Sequence, residues 1–173
     1  MSTEAFFIYL TTVFIATIIP GPSMILALNH GISYGVKKTF ITSLGYLFAN
    51  LLMAIISVAG LGAIIIASGT TFQIIKWLGA GYLIYIGIKT WKSSLASIEP
   101  IHVEPTKNHN KNIYIKMFSE GFLVAAGNPK GILFFTALFP QFINIKTATL
   151  FHFGLIFLPL AFIAFTCFML YAA

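Results

Sequence analysis

Ile18-Ile19-Pro20-Gly21-Pro22-Ser23 and Ala126-Gly127-Asn128-Pro129-Lys130-Gly131 decide the reading of this chain. Each interrupts a long apolar run. Residues 5–36 contain no Asp, Glu, Lys or Arg. A helix that crosses a bilayer needs about 20 mostly apolar residues, so a first spanning helix is expected from Ala5 to Asn29. The stretch from Phe118 to Ile143 is apolar on both sides of Asn128-Pro129-Lys130, and Pro140-Gln141 marks its expected end. Aligning Pro22 with Pro129 brings Ile25-Leu26 onto Ile132-Leu133, so the same interruption falls in the first helix of each half.

Prolines at 20 and 22 remove two backbone donors and clash with the preceding turn. In hydrocarbon each freed carbonyl costs several kcal/mol if it faces lipid, so it must face protein or a water-filled cavity. Paired interruptions at corresponding positions of two halves point to a transporter binding site. The half-helix that starts after each break presents amides and partial positive charge, suited to a carboxylate. The half-helix that ends before it presents carbonyls, suited to an ammonium group or a coupling cation. A zwitterion matches both. The simpler reading is that these prolines are ordinary kinks.

Working outward, residues 39–75 are again free of Asp, Glu, Lys and Arg. A second helix is expected from Thr39 to Ala67, a turn at Ser68-Gly69-Thr70-Thr71, and a third helix from Phe72 to Trp91. Lys76, Trp77, Lys89 and Trp91 fall near its ends, where such side chains reach the interface. Residues 93–116 are polar, with Glu99-Pro100 and Glu104-Pro105 as breakers, and form a linker between a first half (1–92) and a second (117–173). A last apolar run covers Thr147 to Ala173. The expectation is an all-α, polytopic membrane helix bundle of about five spanning helices. Two three-helix halves have opposite topology, as in inverted repeats with broken first helices.

Composition agrees. The chain is 58% hydrophobic and 8% charged, against about 45–50% and 25% in soluble domains. All ten basic residues are Lys and all four acids are Glu. The net charge of +6 does not signal nucleic acid, because the lysines lie between apolar runs. An outside N-terminus places Lys37, Lys38, Lys92, Lys107, Lys111 and Lys116 in cytoplasmic loops, as the excess of basic residues inside the cell requires. The linker 93–116 is then cytoplasmic, and Lys107 to Lys111 is a solvated loop attracted to anionic lipid.

Single residues sharpen the picture. Lys130 lies inside an apolar stretch, where a lysine costs about 2.5–3.5 kcal/mol at mid-membrane. It attracts a substrate carboxylate or joins a charge relay; alternatively it snorkels or caps carbonyls at the break. Glu120 lies ten residues earlier, roughly 15 Å along a helix, and is no obvious local partner. Asn50 offers donors and an acceptor, either to the transported species or to a neighbouring helix. Gly31 and Gly35 allow a close helix contact or turn the chain. Gly60, Gly62, Gly79, Gly81 and Gly87 are expected to permit tight packing. Cys167 is alone, and His30, His102, His109 and His152 show no metal-ligand spacing, so neither metal nor cofactor is expected. No constellation for catalysis is visible.

These motifs resemble the LysE/RhtB family of amino-acid exporters. The resemblance is carried by Pro20-Gly21-Pro22, by Gly31 and Gly35 before Lys37-Lys38, and by Gly45 with the Asn50 region. In the second half it is carried by Gly121-Phe122, Asn128-Pro129-Lys130-Gly131, Phe134-Phe135 and Pro140-Gln141-Phe142. It implies six helices in two halves, a bacterial inner-membrane location, and export of amino acids or related metabolites driven by protons. It makes Pro20, Gly21, Pro22, Asn50, Asn128, Pro129 and Lys130 the expected substrate and translocation residues. Two departures stand out. The chain supplies about five helices, so the sixth is missing and transport competence is in question. Many members carry an acid where Asn50 stands, and Asn cannot carry a proton. The alternatives are a truncated, non-transporting membrane protein and an exporter of another small cation. Lone Cys167 argues against soft metals. Spacing does not decide between one copy and a homo-oligomer.

Overall fold

The computed structural model describes residues 2–67, 69–92, 112–143 and 150–173. Ser68, His102, His109, Lys107, Lys111, Lys146 and the breakers at 99–100 and 104–105 lie outside them. So do the side chains of Gly62, Gly87, Lys89, Trp91 and Lys92. The described residues are helical almost throughout and contain no strand.

Helix α1 (Thr3–Ile18) is capped by the Ser2 hydroxyl, which accepts from the Ala5 amide at 3.2 Å. The chain then breaks at the two prolines, and α2 (Pro22–Tyr34) leaves at 58° to α1. Together they pass as one bent span. Gly35, at φ 80°, turns the chain directly into α3 (Val36–Ala67). Lys37 and Lys38 therefore sit in the first turn of α3 and not in a loop. Only a left-handed backbone makes so short a turn, and glycine enters that region without a Cβ penalty. Helix α4 (Gly69–Lys92) begins inside the expected turn at 68–71.

Helix α5 (Asn112–Ala126) begins inside the stretch expected as linker, so Lys116 lies on a helix. The second break separates it from α6 (Pro129–Leu133), which continues through a π-helical turn (Phe134–Leu138) and a 3-10 turn (Phe139–Phe142). This pair is bent by 53°. The expected end at Pro140-Gln141 falls in the 3-10 turn. Helix α7 (Leu150–Ala172) closes the described chain, with Pro159 inside it.

Val36–Gly60 and Phe151–Ala172 are each long and apolar enough to cross a membrane, and each bent pair adds a further span. Helix α4, at 24 residues, extends about 36 Å and is less apolar than α3 or α7. The protein is a multi-pass membrane helix bundle.

Helices α3 and α5 make the most extensive contact. A Cβ at Gly45 would collide with the Phe118 carbonyl, and one at Gly121 with the Thr42 carbonyl. The two backbones touch where small residues allow it. Gly31 meets the backbone of Ala172 in the same way, and Gly79 the side chain of Ala137. Gly60 and Gly81 face open space, so the tight packing expected of them does not occur there. Two apolar clusters result. Tyr9, Val13, Phe134, Phe135, Phe139 and Leu160 belong to one. Met24, Tyr46, Ala125, Ala164 and Phe168 belong to the other.

Candidate functional site

The two breaks meet. Pro20 and Pro22 have no N–H to offer the carbonyls of Ala16 and Ile18, the partners four residues earlier in a regular helix. The end of α1 instead receives donors from the second half. Tyr171 Oη donates to the Ile18 carbonyl at 2.8 Å, and Lys130 Nζ donates to the Ile19 carbonyl at 2.6 Å. At the second break Asn128 accepts at Oδ1 from the Lys130 amide (3.0 Å), which caps α6. Its Nδ2 donates to Ser23 Oγ on α2 at 3.2 Å. Gly21 lies beside the lysine: a Cβ there would be in ordinary contact, 3.5 Å from Lys130 Cε and Nζ.

Beside this knot lies a small cavity of about 40 Å³. It opens between the two apolar clusters, with Tyr46 and Ala164 from one and Phe135 and Leu160 from the other. Gly21, Ser23, Asn50, Asn128 and Lys130 supply most of its polar wall. Asn50 reaches it from α3, where its buried amide lies beside the Tyr46 hydroxyl without a well-aligned hydrogen bond at Nδ2. Such a buried donor calls for an explanation; here it borders the cavity.

The arrangement favours an anion with two or more acceptors. Lys130 brings a positive charge, and Asn50 a buried amide beside the Tyr46 hydroxyl. The N-cap of α2 is Gly21, which has no side chain to cover the first amides. Pro22 has no N–H and the Met24 and Ile25 amides turn back to the Gly21 carbonyl, so the start of α2 lacks only a side-chain cap, whereas the start of α6 is capped by Asn128. The carbonyls expected to hold an ammonium group are occupied in this conformation: Ile19 holds the ammonium of Lys130 itself.

Of the residues expected from sequence, Gly21, Asn50, Asn128 and Lys130 all line one cavity. Pro20, Pro22 and Pro129 act on the backbone: Pro22 and Pro129 open α2 and α6, where a missing N–H costs nothing. Ser23 sat in the quoted motif without an assigned role. Tyr171 had no sequence signal, since nothing in a terminal apolar run marks one tyrosine as the partner of a carbonyl 153 positions away. Among the described residues no group of three or more His, Cys, Asp or Glu could hold a metal ion.

Comparison with known proteins gives a consistent result. The LysE type translocator family model matches residues 14–173. An uncharacterized membrane protein of Vibrio cholerae is 28% identical over 144 residues, covering 83% of this chain and 67% of the relative. A homoserine/homoserine lactone efflux protein of Salmonella typhimurium is 33% identical, with 83% and 66% covered. A leucine efflux protein of an Enterobacter species is 28% identical, with 82% and 64% covered. The chain thus spans about two thirds of the length of these relatives. No solved structure matches.

Proposed function

The chain belongs to the LysE type translocator family, and from that premise we propose that it is a secondary exporter of amino acids, working by alternating access. The observation that carries this reading is the meeting of both broken spans at one cavity, with a cation and a buried amide in its wall. Relatives named for efflux of leucine and of homoserine and its lactone support small neutral or hydroxylated amino acids as the substrate class.

Lys130 exchanges partners in this mechanism. Without substrate its ammonium satisfies the Ile19 carbonyl. An incoming carboxylate draws it away and takes the Asn50 donor as well. The vacated carbonyl then receives the substrate's own ammonium group. The enzyme-like economy of this exchange is that no buried carbonyl is left without a donor in either state.

The protein sits in the bacterial inner membrane with its N-terminus outside and the linker 93–116 in the cytoplasm. Residues 1–92 and 117–173 belong to two halves of opposite topology, and export is coupled to proton entry. The lysine excess on one side supports the orientation, and the paired breaks support the halves.

Efflux from cells loaded with amino acids as dipeptides tests the reading. Cells making this chain should release one amino-acid group faster than empty-vector cells. Equal release of leucine, homoserine and the other neutral amino acids, with the protein present in the membrane, overturns it.

A further inference from the structure

We propose that His30 and Glu120 together form the proton-binding site that couples this carrier to the proton gradient; the proposal rests on the exporter reading above. The two residues lie 90 positions apart and meet inside the bundle. His30 on α2 is fully buried, and its Nε2 is 3.2 Å from Glu120 Oε2 on α5. Its Nδ1 lies 2.8 Å from Thr42 Oγ1 on α3.

The supply of acids makes this pair conspicuous. The chain has four glutamates and no aspartate. Glu4 is exposed in the first turn of α1, and Glu99 and Glu104 lie outside the described residues. Glu120 is thus the only described carboxylate within the bundle. The cavity itself holds none, since Asn50 cannot carry a proton. A titratable site for coupling must therefore lie elsewhere or use Lys130.

The geometry favours the pair. His30 Nε2 and Glu120 Oε2 are both buried, and neither makes a well-aligned hydrogen bond to any described group. They face each other across a gap that one proton can bridge. In the loaded state the imidazole holds that proton: Nδ1–H points to Thr42 and Nε2–H to the carboxylate. On release the proton leaves to water, and a neutral imidazole and a carboxylate remain. Pairs this close bind the proton jointly.

Other groups around the pair are few. On α5, Lys116 Nζ is 3.9 Å from Glu120 Oε1, half-exposed, and offers a path to solvent. On α2, the Tyr34 ring packs edge-on against His30 at 5.2 Å. On α3, Lys38 lies one turn before Thr42. Helix α7 approaches with Ala172 against Gly31, and its Tyr171 is committed to Ile18.

The position also explains coupling. His30 is two turns along α2 from Ser23, about 10 Å, and Glu120 lies eight residues before Asn128 on α5. Just past the end of α5, Asn128 at the second break bonds Ser23 at the start of α2. α3 and α5 touch backbone to backbone at Gly45 and Gly121, and Gly31 ties α2 to α7 in the same way, so α2 moves together with α7 against α5. Losing the proton weakens its hold on α5 and moves the start of α2 at the cavity.

Purified full chain in liposomes, with labelled leucine and labelled homoserine as probes, tests this. Two assays run side by side: exchange against unlabelled substrate at equal pH, and uptake into liposomes made one pH unit acid inside. One pH unit supports about tenfold accumulation per proton exchanged. Glu120→Gln and His30→Gln should keep exchange and lose accumulation. Accumulation in both variants equal to wild type overturns the proposal. Loss of exchange together with accumulation in Glu120→Gln also overturns it, since the residue would then serve folding or binding. Wild-type exchange with no response to the gradient overturns proton coupling but leaves the exporter reading standing. Absence of wild-type exchange removes both.

Discussion

Lys130 Nζ of the second break donates to the Ile19 carbonyl of the first, 2.6 Å away and 111 positions earlier in the chain. The residue that looks most costly in the membrane thus satisfies a carbonyl at the broken end of α1. The two interruptions are one structural unit, and the following predictions test its parts.

Lys130→Met keeps the apolar stem and removes the charge. Efflux per copy in the membrane should fall, because no cation remains for the substrate carboxylate. The orphaned Ile19 carbonyl should also lower stability by about 1–3 kcal/mol. Efflux equal to wild type would take Lys130 out of the mechanism, whatever the melting temperature shows.

Asn50→Leu separates binding from folding. Asn50 Nδ2 makes no well-aligned hydrogen bond and has only the Tyr46 hydroxyl beside it, so an apolar side chain of similar size should lower thermal stability by no more than about 1 kcal/mol. The same change removes a donor from the cavity. Losing about 1.4 kcal/mol of binding would weaken substrate affinity roughly tenfold. A large loss of stability with unchanged affinity would mean that the amide serves packing.

The Asn128–Ser23 bond can be weighed by a double-mutant cycle of Asn128→Ala and Ser23→Ala, read by unfolding in detergent. Asn128→Ala should cost about 1 kcal/mol for the lost helix cap alone. A coupling of about 0.5–1.5 kcal/mol with Ser23 is expected for a buried hydrogen bond. Strictly additive effects would show that the breaks do not support each other there.

Gly121→Ala and Gly45→Ala should destabilise by about 1–3 kcal/mol, the usual cost of overpacking, because each new methyl meets a backbone carbonyl across the α3–α5 contact. Gly60→Ala and Gly154→Ala place a methyl in open space and should be neutral or mildly stabilising. Equal melting temperatures for both sets would contradict the close contact.

Much of this was legible from residue order. Pro20-Gly21-Pro22 and Asn128-Pro129-Lys130 mark the breaks because proline acts on its own backbone, wherever the helix is packed. Runs without charge mark the spans for the same reason: lipid penalises each residue separately. Boundaries were less visible. From sequence, the second helix is expected only from Thr39 and the linker up to 116, because lysine is read as loop. Yet Lys37, Lys38 and Lys116 sit on helices, whose ends reach the interface.

By itself, the sequence determined that the chain lives in a membrane and that two of its spans are broken. These are local consequences of hydropathy and proline chemistry. Only the tertiary structure decided which groups meet. It joined Tyr171 to Ile18, Lys130 to Ile19 and His30 to Glu120. Sequence spacing predicts contact only within one helix, whereas these pairs span 90 to 153 positions. They depend on how α2, α5 and α7 cross, which bare glycines such as Gly31, Gly45 and Gly121 set by letting backbones touch.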